Sequence, residues 1–546
     1  MTRVEGRPEA VVVGGGHNGL VCAAYLARAG IGTVVLERGD EVGGVSRTIQ
    51  VAPGFRAPAL LHTAEGLRRS IVRDLRLEEH GLGFIRPDVV AFAPEPDGRG
   101  VPLFRDPNRT AEWLRRRVPA DADGFVAFDR RVRSVASFLA HVAASTPPDI
   151  EAPSIADAIA GLRLVRALRR LGPRALRETL RVVPMPVADL VGDAVDDELL
   201  RGALASRGVA LTAMGPWTPG TACVFLMNSV TGGGGAGDTV YVRGGPGALS
   251  TALEQAARRL GAEVRTGAEV AAVRTTGGRA AGVVLTSGEE IAARVVVSAL
   301  DPKRTLGLVD PVVLGPTLLW RGKNIRTPGA VAKVNLALSE APPFRADDPA
   351  LLQGRVVVGP SIEYLERAAD DHKYGRSSEA PFLELTIPSL TDGTLVNGDG
   401  HVVSVLYHYV PYSSNDGRRG AKPDATARDD VLKTVLGTLD TYAPGLSDRV
   451  LAHQVLLPSD LEREFCLSQG CIQHAEPGLD QFFAWRPLLG HARYRFGAPG
   501  LYLAGAGAHP GGGITGAPGA GAAREVLADL RGKGSPAPPA PVGSAT

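Results

Sequence analysis

Cysteine is scarce in this chain of 546 residues: only Cys22, Cys223, Cys466 and Cys471 are present. So few thiols in so long a chain do not make a disulfide framework, which implies a reducing compartment. Long apolar runs are also missing. Nothing approaches the roughly 18 residues that a membrane-spanning helix needs. The N-terminal MTRVEGRPEA lacks the apolar core of a secretory leader. The expectation is a cytoplasmic protein. Lysine is rare, and arginine supplies most of the positive charge. The net charge of +2 is too small to argue for nucleic acid. No H-E-x-x-H, nucleophile elbow or metal-ligand spacing occurs, so no metal is expected. Length allows two or three domains, and the 533–546 tail KGSPAPPAPVGSAT has the composition of a disordered segment.

What is present is concentrated at residues 10–48. Val11-Val12-Val13 is a β-branched run of the kind a buried parallel strand uses. Gly14, Gly16 and Gly19 follow as G-x-G-x-x-G. The first glycine permits the tight turn, the second lets backbone approach a pyrophosphate, and the third lets helix and strand pack closely. The helix starting near Leu20 points its N-terminus at that anion. Gly30 ends it, Thr33 to Leu36 is a second strand, and Glu37 stands 18 residues after Gly19. An acid there accepts hydrogen bonds from an adenosine ribose and disfavours a 2′-phosphate. Strand, turn, helix, strand and acid together give a dinucleotide site. Gly43 and Gly44, with Arg47 close behind, suggest further backbone approaching the same ligand.

The glycine pattern recurs twice. Gly232, Gly234 and Gly237 precede strand-like residues and are read as a flexible loop. Gly511, Gly513 and Gly516 lie between the strand Leu501 to Ala504 and a helix ending near Leu530, with Pro518 in its first turn. Between these ends the texture alternates. Residues 109–213 read mainly as helices. Residues 238–305 return to strand–turn–helix, through Gly244-Gly245-Pro246-Gly247 and a hairpin around Ser287-Gly288. Residues 306–455 carry strands near 331–338, 355–358, 382–387 and 401–408, then a helix over 426–443. The segment 155–181 holds seven arginines among leucines and valines. It reads as a domain helix with a solvated face and leaves a peripheral membrane contact open.

VVVGGGHNGLVCAAYLARAG, EVGG, YVRGGPGAL, VVVSALDP, LDQFFAWRP and LYLAGAGAHPGGGITGAPG together resemble the phytoene-dehydrogenase-related, carotenoid desaturase-like FAD oxidoreductases. Within them they are most similar to the pyridine nucleotide-disulphide oxidoreductase domain protein 2 group. The resemblance implies an α/β fold: a Rossmann-like, glutathione-reductase-like parallel-sheet FAD-binding domain with an interleaved α+β substrate domain. The FAD-binding domain would take residues 1–80, 238–305 and 455–532, and the substrate domain 81–237 and 306–454. Gly14, Gly16, Gly19, Glu37, Arg38, Gly43, Gly44, Arg47 and Val270 would line the adenosine and pyrophosphate. Gly505, Gly513, Ile514 and Thr515 would lie by the flavin ring. Two departures stand out. Gln469-Gly470-Cys471 replaces an expected Gly-Gly-Asn, and no cysteine follows Val45-Ser46 to form the disulphide in the group's name. Cys466 and Cys471 have dithiol spacing but lie far from the first glycine turn and are read as incidental.

Histidines beside the glycine-rich elements, His62, His474 and His509, are candidates for a proton acceptor or substrate contact. Arg486 is a candidate for holding substrate or flavin carbonyls. The expected activity is FAD-dependent removal of hydride from a C–C bond of a mostly apolar small molecule. The alternatives are amine (C–N) oxidation, which charged residues in the substrate cavity would favour, and a largely non-catalytic flavoprotein interaction module. Oligomeric state is left open.

Overall fold

The computed structural model describes residues 8–412 and 425–532, apart from 152, 154 and 232; the 533–546 tail lies outside them. A parallel five-stranded sheet gathers the two ends and the middle of the chain. Its order is Leu501–Leu503, Val295–Ser298, Ala10–Val13, Thr33–Leu36, Glu263–Arg265. Val11 pairs with Val34 on one side and Val296 on the other. All four residues of the central strand are buried, so both faces must be covered. Helices His17–Arg28, Pro246–Arg259 and Ala517–Leu530 contribute Leu20, Leu253 and Val526 to this core. Three antiparallel strands, Val270–Thr276, Arg279–Leu285 and Glu290–Ala292, flank it.

A second, seven-stranded sheet runs Val450–Leu456, Val331–Leu338, His401–His408, Leu383–Thr386, Arg355–Val358, Val89–Pro94, Gly100–Phe104. The strand Val450–Leu456 continues through the expected boundary at 454/455. The sheet is mixed, with Arg355 and Val356 running parallel to Ala91 and Phe92. Its two faces differ in kind. Val334, Leu336, Val403, Val405, Leu383, Leu385 and Val356 form one apolar core with the helix Ala425–Tyr442. The alternate residues Lys333, Asn335, Ser404, His408, Glu384, Thr386 and Arg355 are polar, and they too are buried. Register keeps them together: Asn335 and Thr386 both oppose Ser404, and Lys333 and Glu384 both oppose Leu406. A buried polar sheet face is costly unless its groups are paired or used.

The helices Pro107–Arg117, Pro119–Ala144, Glu198–Val209 and Thr221–Met227 build a third cluster around Phe125, Phe128 and Phe225. The 233–237 turn, expected to be flexible, is pinned there. Gly235 N–H donates to Asp129 Oδ1 at 2.7 Å, and Arg207 Nη1 donates to the Gly234 and Gly235 carbonyls at 3.1 and 2.9 Å. Among the described residues no helix is long and apolar enough to cross a membrane.

Candidate flavin and substrate site

The first glycine turn is built as its spacing predicts. Gly14 has φ +100°, a backbone state that glycine adopts without strain. A Cβ on Gly19 would lie 2.1 Å from the Gly14 carbonyl oxygen, so only glycine lets the helix seat on the strand. Gly16 differs: a Cβ there would meet nothing within 4 Å. Beyond it opens a cleft lined by Gly14, Gly16, Gly19, Glu37, Arg38, Gly44, Arg47, Val270, His474 and Gly513. Residues from both glycine turns therefore face one cleft.

Glu37 fixes the far end. Its Oε2 accepts from Gly15 N–H at 2.7 Å and its Oε1 from Gly39 N–H at 2.9 Å. Gly43 N–H donates to the Gly15 carbonyl at 2.9 Å. A Cβ on Gly43 would press on Ser250 at 2.8 Å, so Gly43 shapes the turn while Gly44 faces the cleft. Arg38 spans outward, donating to the Arg463 and Glu464 carbonyls at 2.5 and 3.0 Å. Arg47 stacks over Phe465 at 4.9 Å. These two arginines tie the 463–465 segment to the cleft rim.

At the other end, Gly513 lines this cleft and a second cavity. Leu61 is the other shared residue. Ile514 and Thr515 face the second cavity. Gly505 faces neither: its missing side chain leaves room for the Ala299 carbonyl, 2.5 Å from where a Cβ would lie. It packs the strand end closely against the 299–300 backbone.

The candidate catalytic residues separate. His62 lines the second cavity. Its Nε2 contacts Lys333 Nζ, and its Nδ1 is buried without a hydrogen-bond partner. Burial holds its pKa well below the usual 6.5. Lys333, fully buried, is held far below the usual lysine range by desolvation; Nζ donates to Ser404 Oγ at 2.8 Å. His474 lines the first cleft, and burial lowers it to about 4. His509 lines neither cavity; its Nε2 lies 3.1 Å from the Val142 carbonyl and its ring edge meets Phe483. It anchors a helix end. Arg486 is buried and lines the second cavity. It makes no ion pair among the described residues; its Nη2 donates to the Ala506 and Gln473 carbonyls, both at 2.7 Å, bracing the flavin-side loop. Gln469 turns away, its Oε1 accepting from Thr327 at 2.8 Å. Cys471 is buried, with its thiol pushed up to about 12 by burial. A thiol held that far from ionisation makes a poor redox partner. Cys466 lines the first cleft; replacing it with serine is expected to leave flavin reduction unchanged, and reduction lost at unchanged FAD content would restore the dithiol.

Sequence reasoning missed Lys333, Glu65, Arg355 and Glu384. Three of the four are charges set in mostly apolar strand runs, VAKVNLAL, RVVV and LELT, and that contrast is the signal that could have found them.

The cleft suits an elongated dinucleotide with a ring at one end. The open space over Gly16 fits a pyrophosphate. His17 Nε2 and Asn18 Oδ1 on the first helical turn are buried without partners, and the amides of that turn have no intrahelical acceptor. A family model described as flavin containing amine oxidoreductase matches residues 19–527. The chain belongs to that family. It is an FAD-dependent oxidoreductase, and the cofactor read from the two glycine turns is FAD. Among its relatives, mouse pyridine nucleotide-disulfide oxidoreductase domain-containing protein 2 is 34% identical over 97% of this chain and 95% of its own. Hydroxyneurosporene desaturase of Rhodobacter capsulatus is 26% identical, covering 95% and 98% of the two chains. A putrescine oxidase structure with bound putrescine shares the fold at TM-score 0.59 and 16% identity, over 96% of this chain and 99% of that one. The expected desaturase-like resemblance and α/β fold are thus borne out.

Proposed function

We propose that this oxidoreductase takes hydride from a C–C unit of a small molecule whose apolar body lies in the second cavity. The observation that carries this is the junction of the two cavities at Leu61 and Gly513. A dinucleotide running from Gly16 to Gly513 would present its ring there. When bound, FAD supplies the hydride acceptor. The chain supplies shape, dryness and a place for a proton. Leu211, Val224, Met227, Val230 and Phe482 give the cavity an apolar wall. In this reading the neutral Lys333 donates to Ser404 and accepts from His62 Nε2–H. That fixes the imidazole tautomer and leaves a lone pair on Nδ1 to take a substrate proton. Burial lowers both pKa values, the direction that favours the uncharged forms this reading uses.

Anaerobic bleaching of the bound flavin by a panel of alkenes, polyenes, hydroxy compounds and amines tests the reading; bleaching by amines alone would sink it. Replacing His62 with asparagine is expected to slow that reduction by about 100-fold, the usual range for a lost general base. FAD content should stay unchanged. Reduction at the wild-type rate would remove His62 from the mechanism.

The second reading, C–N oxidation, draws on a specific feature: Glu65, Arg355 and Glu384 line the cavity floor, where a pure hydrocarbon tunnel has no use for charge. A peripheral membrane contact draws on the helix Ile155–Arg170, where exposed Ile155, Ile159 and Leu162 sit among arginines. Co-sedimentation with anionic vesicles, lost in Ile155→Asp/Leu162→Asp, is the expected result.

A further inference from the structure

The charges of the second cavity do not cancel. Four arginines line it, Arg68, Arg207, Arg355 and Arg486, against three acids, Glu65, Asp238 and Glu384. Two of the acids are already neutralised. Glu384 Oε2 accepts from Arg355 Nη1 at 2.9 Å. Asp238 is paired with Arg105, which is not part of the cavity lining, and lies 3.8 Å from Arg86. Arg207 is 5% exposed and has no carboxylate within 4.0 Å among the described residues. Carbonyls and the Ser229 hydroxyl hold its guanidinium instead. A buried cation without a counter-ion is costly in an apolar surround. Arg207, Arg355, Glu65 and Glu384 are electrostatic neighbours, with Asp129 also beside Arg207; the two arginines balance the two glutamates while Glu65 is ionised, so a positive excess at this end requires Glu65 in its protonated form.

Two polar atoms in the same group are free. Glu65 Oε2 is buried and has no hydrogen-bond partner. Arg355 uses Nε on Thr239 at 3.1 Å and Nη1 on Glu384, which leaves Nη2 without a partner among the described residues. A buried arginine without an ion pair, an open Arg355 Nη2 donor and an open Glu65 oxygen thus belong to one cavity lining.

Resting on the flavin reading above, we propose that the Glu65–Arg207–Arg355 end of the second cavity is a seat for a carboxylate on the substrate. Arg355 Nη2 donates to one carboxylate oxygen and a protonated Glu65 Oε2–H to the other, while Arg207 supplies charge without direct contact. Burial raises the Glu65 pKa, in keeping with that protonated form, and Arg207, lowered to about 9 by desolvation, still carries its charge at neutral pH. The substrate is then an amphiphile: an anionic head on the polar sheet face and an apolar body directed along Met227 and Phe482.

Calorimetric titration of the FAD-loaded protein with decanoate, decan-1-ol and decan-1-amine tests this. Decanoate is expected to bind at least about tenfold more tightly than either control. Glu65→Gln, which keeps a donor, should preserve that preference, and Glu65→Leu should abolish it while FAD content stays unchanged. Equal binding of all three probes, or preference for the amine, overturns the carboxylate seat and leaves the flavin assignment standing. Failure of the purified chain to hold FAD at all, read from its absorbance before any probe is added, overturns both.

Discussion

Alanine at position 16 is expected to weaken FAD binding by about 100-fold or more without disturbing the protein that would bind it. The two substitutions Gly16→Ala and Gly19→Ala add the same methyl group to the same turn, yet they meet different surroundings. At Gly16 the added Cβ faces open space, with nothing within 4 Å. The backbone there, at φ −67° and ψ 166°, suits any L-residue. The apoprotein should therefore melt within about 1 °C of the parent. The methyl occupies the space where a phosphate must approach the backbone, so the FAD dissociation constant should rise by about 100-fold or more, roughly 2.7 kcal/mol. At Gly19 the added Cβ lies 2.1 Å from a backbone oxygen of Gly14. Helix and strand must separate, which costs about 1–3 kcal/mol as overpacking of a rigid neighbour. That variant should lose both thermal stability and FAD. Fluorimetric melting of the apoproteins, with FAD titration alongside, separates the cases. A Gly16→Ala protein that holds FAD as well as the parent would show that no pyrophosphate lies over that residue.

The same contrast explains what could be read before the fold was known. Gly14, Gly16, Gly19 and Glu37 were legible because the turn is local: each role follows from distance along the chain to a neighbouring strand or helix. The strand runs near 331–338, 355–358, 382–387 and 401–408 were legible from β-branched, apolar composition, and they fall on the strands of the seven-stranded sheet. The chemistry of that sheet was not. Lys333, Ser404, Glu384 and Arg355 come from four strands, and only the register Lys333–Leu406–Glu384 brings them to one face. Register is set by pairings remote in sequence, which no local spacing encodes. Arg486 shows the converse. Its place in a motif marked it for ligand contact, but its hydrogen bonds go to main-chain carbonyls. Gly505 likewise turned out to serve close packing, because a glycine required by a neighbouring backbone looks identical in sequence to one required by a ligand.

Acid should unfold this protein at an unusually mild pH, because its buried histidines cannot take up protons. Burial is the leading cause lowering His17, His408 and His474 to about 4, and His509 to about 3, from the usual 6.5. The sign follows directly. A depressed folded-state pKa means that the unfolded chain binds a proton the folded chain refuses. The contribution to stability is complete above about pH 6.5 and is lost as pH falls toward 4. Each such group costs about 1.4 kcal/mol per pH unit in that window. Four together cost roughly 5 kcal/mol per unit, against a total stability on the order of 5–15 kcal/mol. Glu65 and Glu476, whose pKa values burial raises, work in the opposite sense but are outnumbered, since burial lowers His62 as well. Denaturant unfolding of the apoprotein between pH 7 and 4.5 should show this slope. His408 offers the cleanest control. It lines neither cavity, stacks on Phe382 at 4.1 Å, and neither ring nitrogen makes a hydrogen bond of normal geometry. His408→Phe keeps the stacked ring, removes one titrating group and leaves no polar partner stranded, so stability at pH 7 should hold while the acid slope falls by about one proton. An unchanged slope in that variant would mean that His408 is protonated in the folded state, and that its stacked, buried setting does not exclude the charge.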